Sequence, residues 1–253
     1  MNRELVFLAV VALSGCGGSS DPVSNPATSA QAGSASAASS AASDPVASTP
    51  VTIDAEGDST MKGALWMNGA YVYANMPAPA VAQEQLIRKL GVEGITVENN
   101  GVVGETIGDD ISGWAGIAPL ATRLATDQSQ IVMENYGLND SIEVDLQTYH
   151  DNLVAWIAVV KQAGKIPVLE EPNPPSLTYY TQLPSFVAMV DQVGYEEQVL
   201  VIQQYNYILS LTNWQSMLTD GIHPDQALYT IKGQREAWSL QPLVAKTMVA
   251  SAS

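Results

Sequence analysis

Two short segments near opposite ends of the chain carry the residue types of nucleophilic acyl chemistry: Gly57-Asp58-Ser59 and Asp220-Gly221-Ile222-His223. A serine hydroxyl is a weak nucleophile at neutral pH until a base takes its proton. An imidazole serving as that base needs a carboxylate to fix its tautomer and stabilise its cation. The chain holds two histidines, His150 and His223. His150 sits inside a helical pattern with no such motif around it and reads as structural or surface-exposed. His223 is therefore the candidate base, Asp220 its orienting acid and Ser59 the nucleophile.

The elements between these segments must bring them together. A short β-prone run at 51–55 ends at Glu56-Gly57, which sets Ser59 on the turn leaving a strand. A helix is expected at 80–90, and a strand at 95–98 closed by Asn99-Asn100-Gly101. Helical spacing with an early Gly-rich interruption follows at 111–125, then a strand at 130–134 ending at Tyr136-Gly137. Leu146, Tyr149, Leu153, Trp156, Ile157 and Val160 mark an amphipathic helix over 145–162 that Gly164 stops. A strand at 166–169 runs into a Pro-rich loop at 172–175. A helix at 183–193, a strand at 199–202 and a mostly helical segment after Pro224 complete the chain. Strands alternating with helices predict a three-layer α/β/α sandwich around a mainly parallel five-stranded central sheet. Ligands of such sheets bind beyond the carboxyl ends of the strands, where the loops carry Ser59, Gly104 and Asn139.

Four blocks now stand in order: Gly57-Asp58-Ser59-Thr60, Asn100-Gly101-Val102-Val103-Gly104-Glu105-Thr106, Gly137-Leu138-Asn139-Asp140 and Asp220-Gly221-Ile222-His223-Pro224. Together they resemble the SGNH hydrolase superfamily, the GDSL-type esterases and lipases, over about residues 51–235. The resemblance implies an SGNH/flavodoxin-like fold with Ser59 as nucleophile, His223 as general base and Asp220 as its orienter. It also implies an oxyanion hole built from Ser59, Gly104 and Asn139, with Asp58, Asn100 and Asp140 in the supporting shell. Backbone N–H groups at 59 and 104 with the Asn139 amide would supply three donors to a tetrahedral intermediate. Gly101 competes with Gly104 as donor, and the motif context aligns better with Gly104. Position 60 is Thr where the block is named for Leu, which reads as a packing difference. No G-x-S-x-G elbow occurs, which disfavours the α/β-hydrolase alternative.

The first fifty residues differ in kind. A short polar start, an apolar run at 5–13 too short to span a bilayer, and Leu13-Ser14-Gly15-Cys16 resemble a bacterial lipoprotein signal with its lipobox. The expected organisation is a signal peptide at 1–15, a lipidated Cys16 with a Ser/Ala/Pro-rich tether at 16–50, and the hydrolase domain at 51–253. The tether has too little apolar surface to offset its ordering entropy. An exported, lipid-anchored envelope protein is expected, held in the outer membrane if the cell is Gram-negative, with periplasmic or secreted forms as the alternative.

A formal net charge of −16 disfavours nucleic acid as a partner. Two isolated histidines and one cysteine give no metal-ligand cluster, so no metal and no cofactor is expected. A monomer is expected. Glu170-Glu171, at a strand end beside the Pro-rich segment, could line the cleft but reads rather as a solvated loop. Trp66, Tyr71, Tyr73, Trp114, Tyr179, Tyr180 and Trp214 could line a sugar or acyl site, although aromatics more often pack cores. The function the residues indicate is a serine esterase acting on a lipid, a small ester or an acylated carbohydrate. The alternatives are acyl transfer from the same site and a non-catalytic surface lipoprotein that binds.

Overall fold

The computed structural model describes residues 50–250. The expected signal peptide, Cys16 and all of the tether but its last residue lie outside the described residues. In chain order the elements are β1 (Val51–Gly57), α1 (Ser59–Lys62), β2 (Ala64–Met67), β3 (Ala70–Tyr73), α2 (Ala78–Leu90), β4 (Ile95–Asn99), α3 (Ile107–Ser112), α4 (Leu120–Leu124) and β5 (Ile131–Asn135). They continue as α5 (Asp140–Glu143), α6 (Leu146–Gln162), β6 (Ile166–Glu170), α7 (Leu183–Glu197), β7 (Leu200–Ile202), α8 (Tyr205–Leu209) and α9 (Gln226–Ala250).

Five strands form one all-parallel sheet in the order β4-β1-β5-β6-β7. The chain steps from β1 outward to β4 and then returns to the other side of β1 to lay down β5. The carboxyl ends of β1 and β5 therefore flank the topological switch point, where doubly wound sheets open a crevice. Alternation along the strands divides the core in two. Val51, Ile53 and Ala55 of β1 pack with Leu86 of α2 and with Leu240 and Val244 of α9 on one face. Val132 and Leu169 face Leu153, Trp156 and Ile157 of α6 and Phe186 and Val190 of α7 on the other. The fold is the α/β sandwich that the alternating pattern predicts.

Two local departures have physical causes. The helical spacing at 111–125 resolves into two short helices, because Gly113 ends α3 and Pro119 stands at the N-cap of α4. The start of α3 is fixed by Thr106, whose side chain accepts from the Asp109 N–H while the Asp109 carboxylate accepts from the Thr106 N–H. The second departure is the antiparallel hairpin β2–β3, which the alternating α/β pattern does not anticipate. Its turn has positive φ at both Asn68 (53°) and Gly69 (83°), the type I′ geometry that matches strand twist.

Candidate active site

Ser59 opens α1 directly after β1, and Asp58 caps that turn by accepting from the Thr60 N–H at 2.7 Å. The Ser59 hydroxyl lies 2.8 Å from Nε2 of His223, across 164 residues of chain. Nδ1 of the same ring is 2.8 Å from Oδ2 of Asp220. The other oxygen, Oδ1, accepts from the backbone N–H groups of Ile222 at 3.0 Å and His223 at 2.8 Å. Burial alone would raise the Asp220 carboxyl. The hydrogen bonds from the His223 backbone and ring and from Ile222 outweigh it and hold the group below its ordinary value. Asp220 is thus an ionised acceptor, which assigns the ring proton to Nδ1 and leaves the Nε2 lone pair for Ser59.

Gly104 and Asn139 meet through their loops. The Asn139 amide donates to the Glu105 carbonyl at 2.9 Å, which ties it to the residue after Gly104 and leaves its second N–H without an acceptor among the described residues. Asp140 reinforces the tie, one oxygen accepting from Gly137 N–H at 3.0 Å and the other from Ile107 N–H at 3.1 Å. Gly104 has φ of +83°, and an added Cβ would stand 3.6 Å from Trp114, so the left-handed backbone rather than a lack of room calls for glycine. Its N–H has no acceptor among the described residues. The Gly101 N–H, by contrast, is given to Oδ1 of Asn99 at 3.1 Å. Asn100 donates to Oδ1 of Asp54 at 2.7 Å and so anchors that loop to β1. His150 lies on α6 beside Asp151, its Nδ1 2.9 Å from that carboxylate.

Two readings need correction. Thr60 is wired by hydrogen bonds and does more than fill space. Its hydroxyl donates to Oδ1 of Asp58 at 2.9 Å and stands 3.2 Å from Oδ1 of Asn135, which accepts from the buried Lys232 ammonium at 3.0 Å. The Asn135 amide in turn donates to the carbonyls of Glu170 and Glu171. Glu170 and Glu171 are themselves buried, not solvated. Glu170 accepts from Gln204 at 2.9 Å and lies 3.8 Å from Lys232, and Glu171 accepts from the Tyr205 N–H at 2.7 Å. A polar strut thus runs from α9 through the ends of β5 and β6 to the turn that carries Ser59.

Of the seven candidate aromatics, Trp66, Tyr71, Tyr73, Trp114 and Tyr179 are exposed, while Trp214 packs partly buried against Ile208 and Leu218. Tyr71 of β3 sets its ring 5.1 Å from the His223 imidazole, edge to face, with its hydroxyl 3.4 Å from Oδ2 of Asp220. Burial, the Asp220 carboxylate and Tyr179 together raise the phenol above its ordinary value, so Tyr71 is a neutral donor. Trp66 packs on Tyr71 at 4.8 Å, and Tyr179 stacks on Tyr180 at 4.7 Å. Tyr180 is buried, in keeping with the core reading. Behind the Gly101–Glu105 segment lies a separate cavity of about 590 Å³ lined by Asp54, Glu56, Glu98 and Glu105 with Arg123.

The buried carboxyls set a pH dependence of stability. Burial raises Glu105, Asp140 and Glu171 to about 7 each, against partial relief from Tyr136, from the Gly137 N–H and from the Tyr205 N–H respectively. Glu134 and Glu236 are raised further by the same cause. A carboxyl raised in the folded state holds a proton that the unfolded chain releases near pH 4. Its contribution is complete below that pH and is lost as pH climbs through the folded value. Asp220 and Asp127 are lowered and act in the opposite sense, losing their contribution only as pH falls below about 4. The melting temperature is therefore expected to be higher near pH 5 than near pH 8 at fixed ionic strength. An equal or higher value at pH 8 contradicts this account of the buried acids.

No protein-family model and no curated protein matches the chain. Solved structures do. A lipase/acylhydrolase from Enterococcus faecalis superposes with a TM-score of 0.61 at 20% identity, covering 76% of this chain and 96% of that one. An acetyl xylan esterase from Geobacillus stearothermophilus gives 0.61 at 19% identity, covering 77% and 96%. A carbohydrate acetylesterase from Sinorhizobium meliloti gives 0.64 at 13% identity, covering 76% and 99%. At these identities the likeness is one of fold: the chain has the α/β architecture shared by these ester hydrolases.

Proposed function

We propose that this protein is a serine esterase of the SGNH/GDSL type that hydrolyses carboxylic esters through an acyl-enzyme. The observation that carries the reading is the continuous line Ser59 Oγ to His223 Nε2 and His223 Nδ1 to Asp220 Oδ2, each step 2.8 Å. Nε2 takes the Ser59 proton as Oγ forms its bond to the ester carbonyl carbon. The carbonyl oxygen becomes an oxyanion facing the N–H groups of Ser59 and Gly104 and the Asn139 amide. Collapse breaks the bond from the carbonyl carbon to the alcohol oxygen, and His223 gives that oxygen its proton. Water then repeats the sequence on the acyl-enzyme, releasing the acid and restoring Ser59. The solved relatives named for lipase, acetyl xylan esterase and carbohydrate acetylesterase activity lend support to ester hydrolysis on this fold.

The test is turnover of p-nitrophenyl esters together with covalent labelling by a serine-reactive fluorophosphonate, with Ser59→Ala as the blank. Label on a residue other than Ser59, or turnover without any label, sinks the assignment. Asn139→Ala is expected to lower kcat by about 10² to 10³ with little change in KM, because its free N–H would bond the oxyanion more strongly than the ground-state carbonyl. A rise in KM at unchanged kcat would place the amide in substrate binding instead.

A further inference from the structure

Resting on the esterase reading, the geometry points to the β2–β3 hairpin as the seat of the leaving alcohol, and to that alcohol being a pyranose-type sugar ring lying against Trp66 and Tyr71.

The position follows from the direction of proton transfer. His223 must reach the alcohol oxygen to protonate it, so whatever that oxygen carries lies on the histidine side of Ser59. Tyr71 borders that side, edge to face with the imidazole at 5.1 Å. Strand register makes Trp66 and Tyr71 direct cross-strand partners, with Ala64 and Tyr73 on the same face. The hairpin is fastened to the acid–base loop as well, since the Trp66 N–H donates to Oγ1 of Thr219 at 2.8 Å and Tyr71 donates to Asp220. It is held from below by Tyr229, which donates to the Ala64 carbonyl at 2.6 Å. An outlying ribbon is thus registered to the proton-transfer pair.

The chemistry of the occupant follows from how side chains divide between the two faces. The site face presents Trp66, Tyr71 and Tyr73, exposed by 39%, 56% and 59%, all flat rings; the Tyr71 hydroxyl is given to Asp220, and that of Tyr73 has no partner among the described residues. The exposed aliphatic side chains, Met67 and Val72, lie on the opposite face with Leu65, which packs against Ala78 and Tyr229. An alkyl chain would be served by the second kind of surface, yet it is the first that borders His223. Trp66 and Tyr71 meet at an interplanar angle of 74°, so a saturated ring laid on one meets the edge of the other. Such a corner suits a disc with apolar faces and a hydroxyl rim, which the tyrosine hydroxyls can bond. A net charge of −16 disfavours approach to an anionic lipid surface and leaves a neutral glycan unhindered.

The experiment holds the acyl group constant and varies the alcohol. Acetyl, butyryl and octanoyl p-nitrophenyl esters first identify the acyl group turned over best. That acyl group is then presented on a methyl xylopyranoside and on n-butanol. Wild type is expected to favour the pyranoside over the butyl ester in kcat/KM, and Trp66→Ala to lower that ratio by about tenfold, chiefly through KM. Met67→Ala, on the opposite face of the same hairpin, is the control and is expected to leave both values unchanged. A wild-type preference for the butyl ester, or a ratio that Trp66→Ala does not move, overturns the sugar seat while leaving the esterase reading in place. Failure of wild type to cleave any of the three p-nitrophenyl esters overturns the esterase reading, and the sugar seat with it.

Discussion

Alanine at position 59 is expected to lower kcat on p-nitrophenyl esters by about 10⁶, to the level supplied by binding and the remaining donors alone. The substitution deletes the atom that forms the covalent bond in the proposed mechanism, and among the described residues no other hydroxyl or thiol is hydrogen-bonded to His223 Nε2 in its place. Thr60 cannot substitute, because its hydroxyl is buried and spent on Asp58 and Asn135. Ser59 opens a short helix whose capping bond comes from Asp58, so the turn itself survives the change. The loss should therefore appear at a melting temperature close to that of wild type, with the fluorophosphonate label absent. The double variant Ser59→Ala, His223→Ala should be no worse than the single one, since groups acting as a unit do not lose their effects additively. Activity within tenfold of wild type in Ser59→Ala would remove Ser59 from the reaction.

The residues that could be read from sequence are those that chemistry clusters locally. Asp220 and His223 lie on one turn, where the carboxylate bonds the backbone of the loop it shares with the imidazole, and Ser59 follows a strand whose apolar alternation is plain. Strands of the parallel sheet are short apolar runs bounded by turn residues, so their existence was legible, and with it the α/β layering. What was not legible depends on partners far along the chain. Charged residues default to solvent, and nothing near Glu170 announces that Gln204 and Lys232 will meet it in the interior. Thr60 reads as a packing variant because its second partner, Asn135, sits at the end of a strand on the other side of the sheet's switch point. The hairpin did carry a signal, Asn68-Gly69 between apolar pairs. It breaks the strand–helix alternation that organises everything else, and so does not show in that alternation. With the hairpin goes the placement of Trp66 and Tyr71, which sequence can name as aromatic but cannot set beside His223.

Asn at position 220 is expected to cost about 10⁴ in kcat, although it differs from Asp by one atom and keeps the same shape. The reason lies in the two oxygens having different neighbours. Oδ1 accepts from both the Ile222 and the His223 backbone N–H groups, at 3.0 and 2.8 Å. An asparagine must keep its carbonyl oxygen there, because turning the amide over would aim an NH₂ group at two donors. Its nitrogen is then forced into the place of Oδ2, facing His223 Nδ1. A donor at that position makes Nδ1 the acceptor and moves the ring proton to Nε2. The nitrogen facing Ser59 would then carry a hydrogen and could not take another. The Tyr71 hydroxyl, now opposite an amide nitrogen instead of a carboxylate oxygen, would also lose its acceptor. Fluorophosphonate labelling should slow in step with turnover, since both need Ser59 relieved of its proton, while the far-ultraviolet spectrum and melting temperature stay near those of wild type. A loss of less than tenfold, or labelling at the wild-type rate, would mean that Asp220 does not set the tautomer of His223.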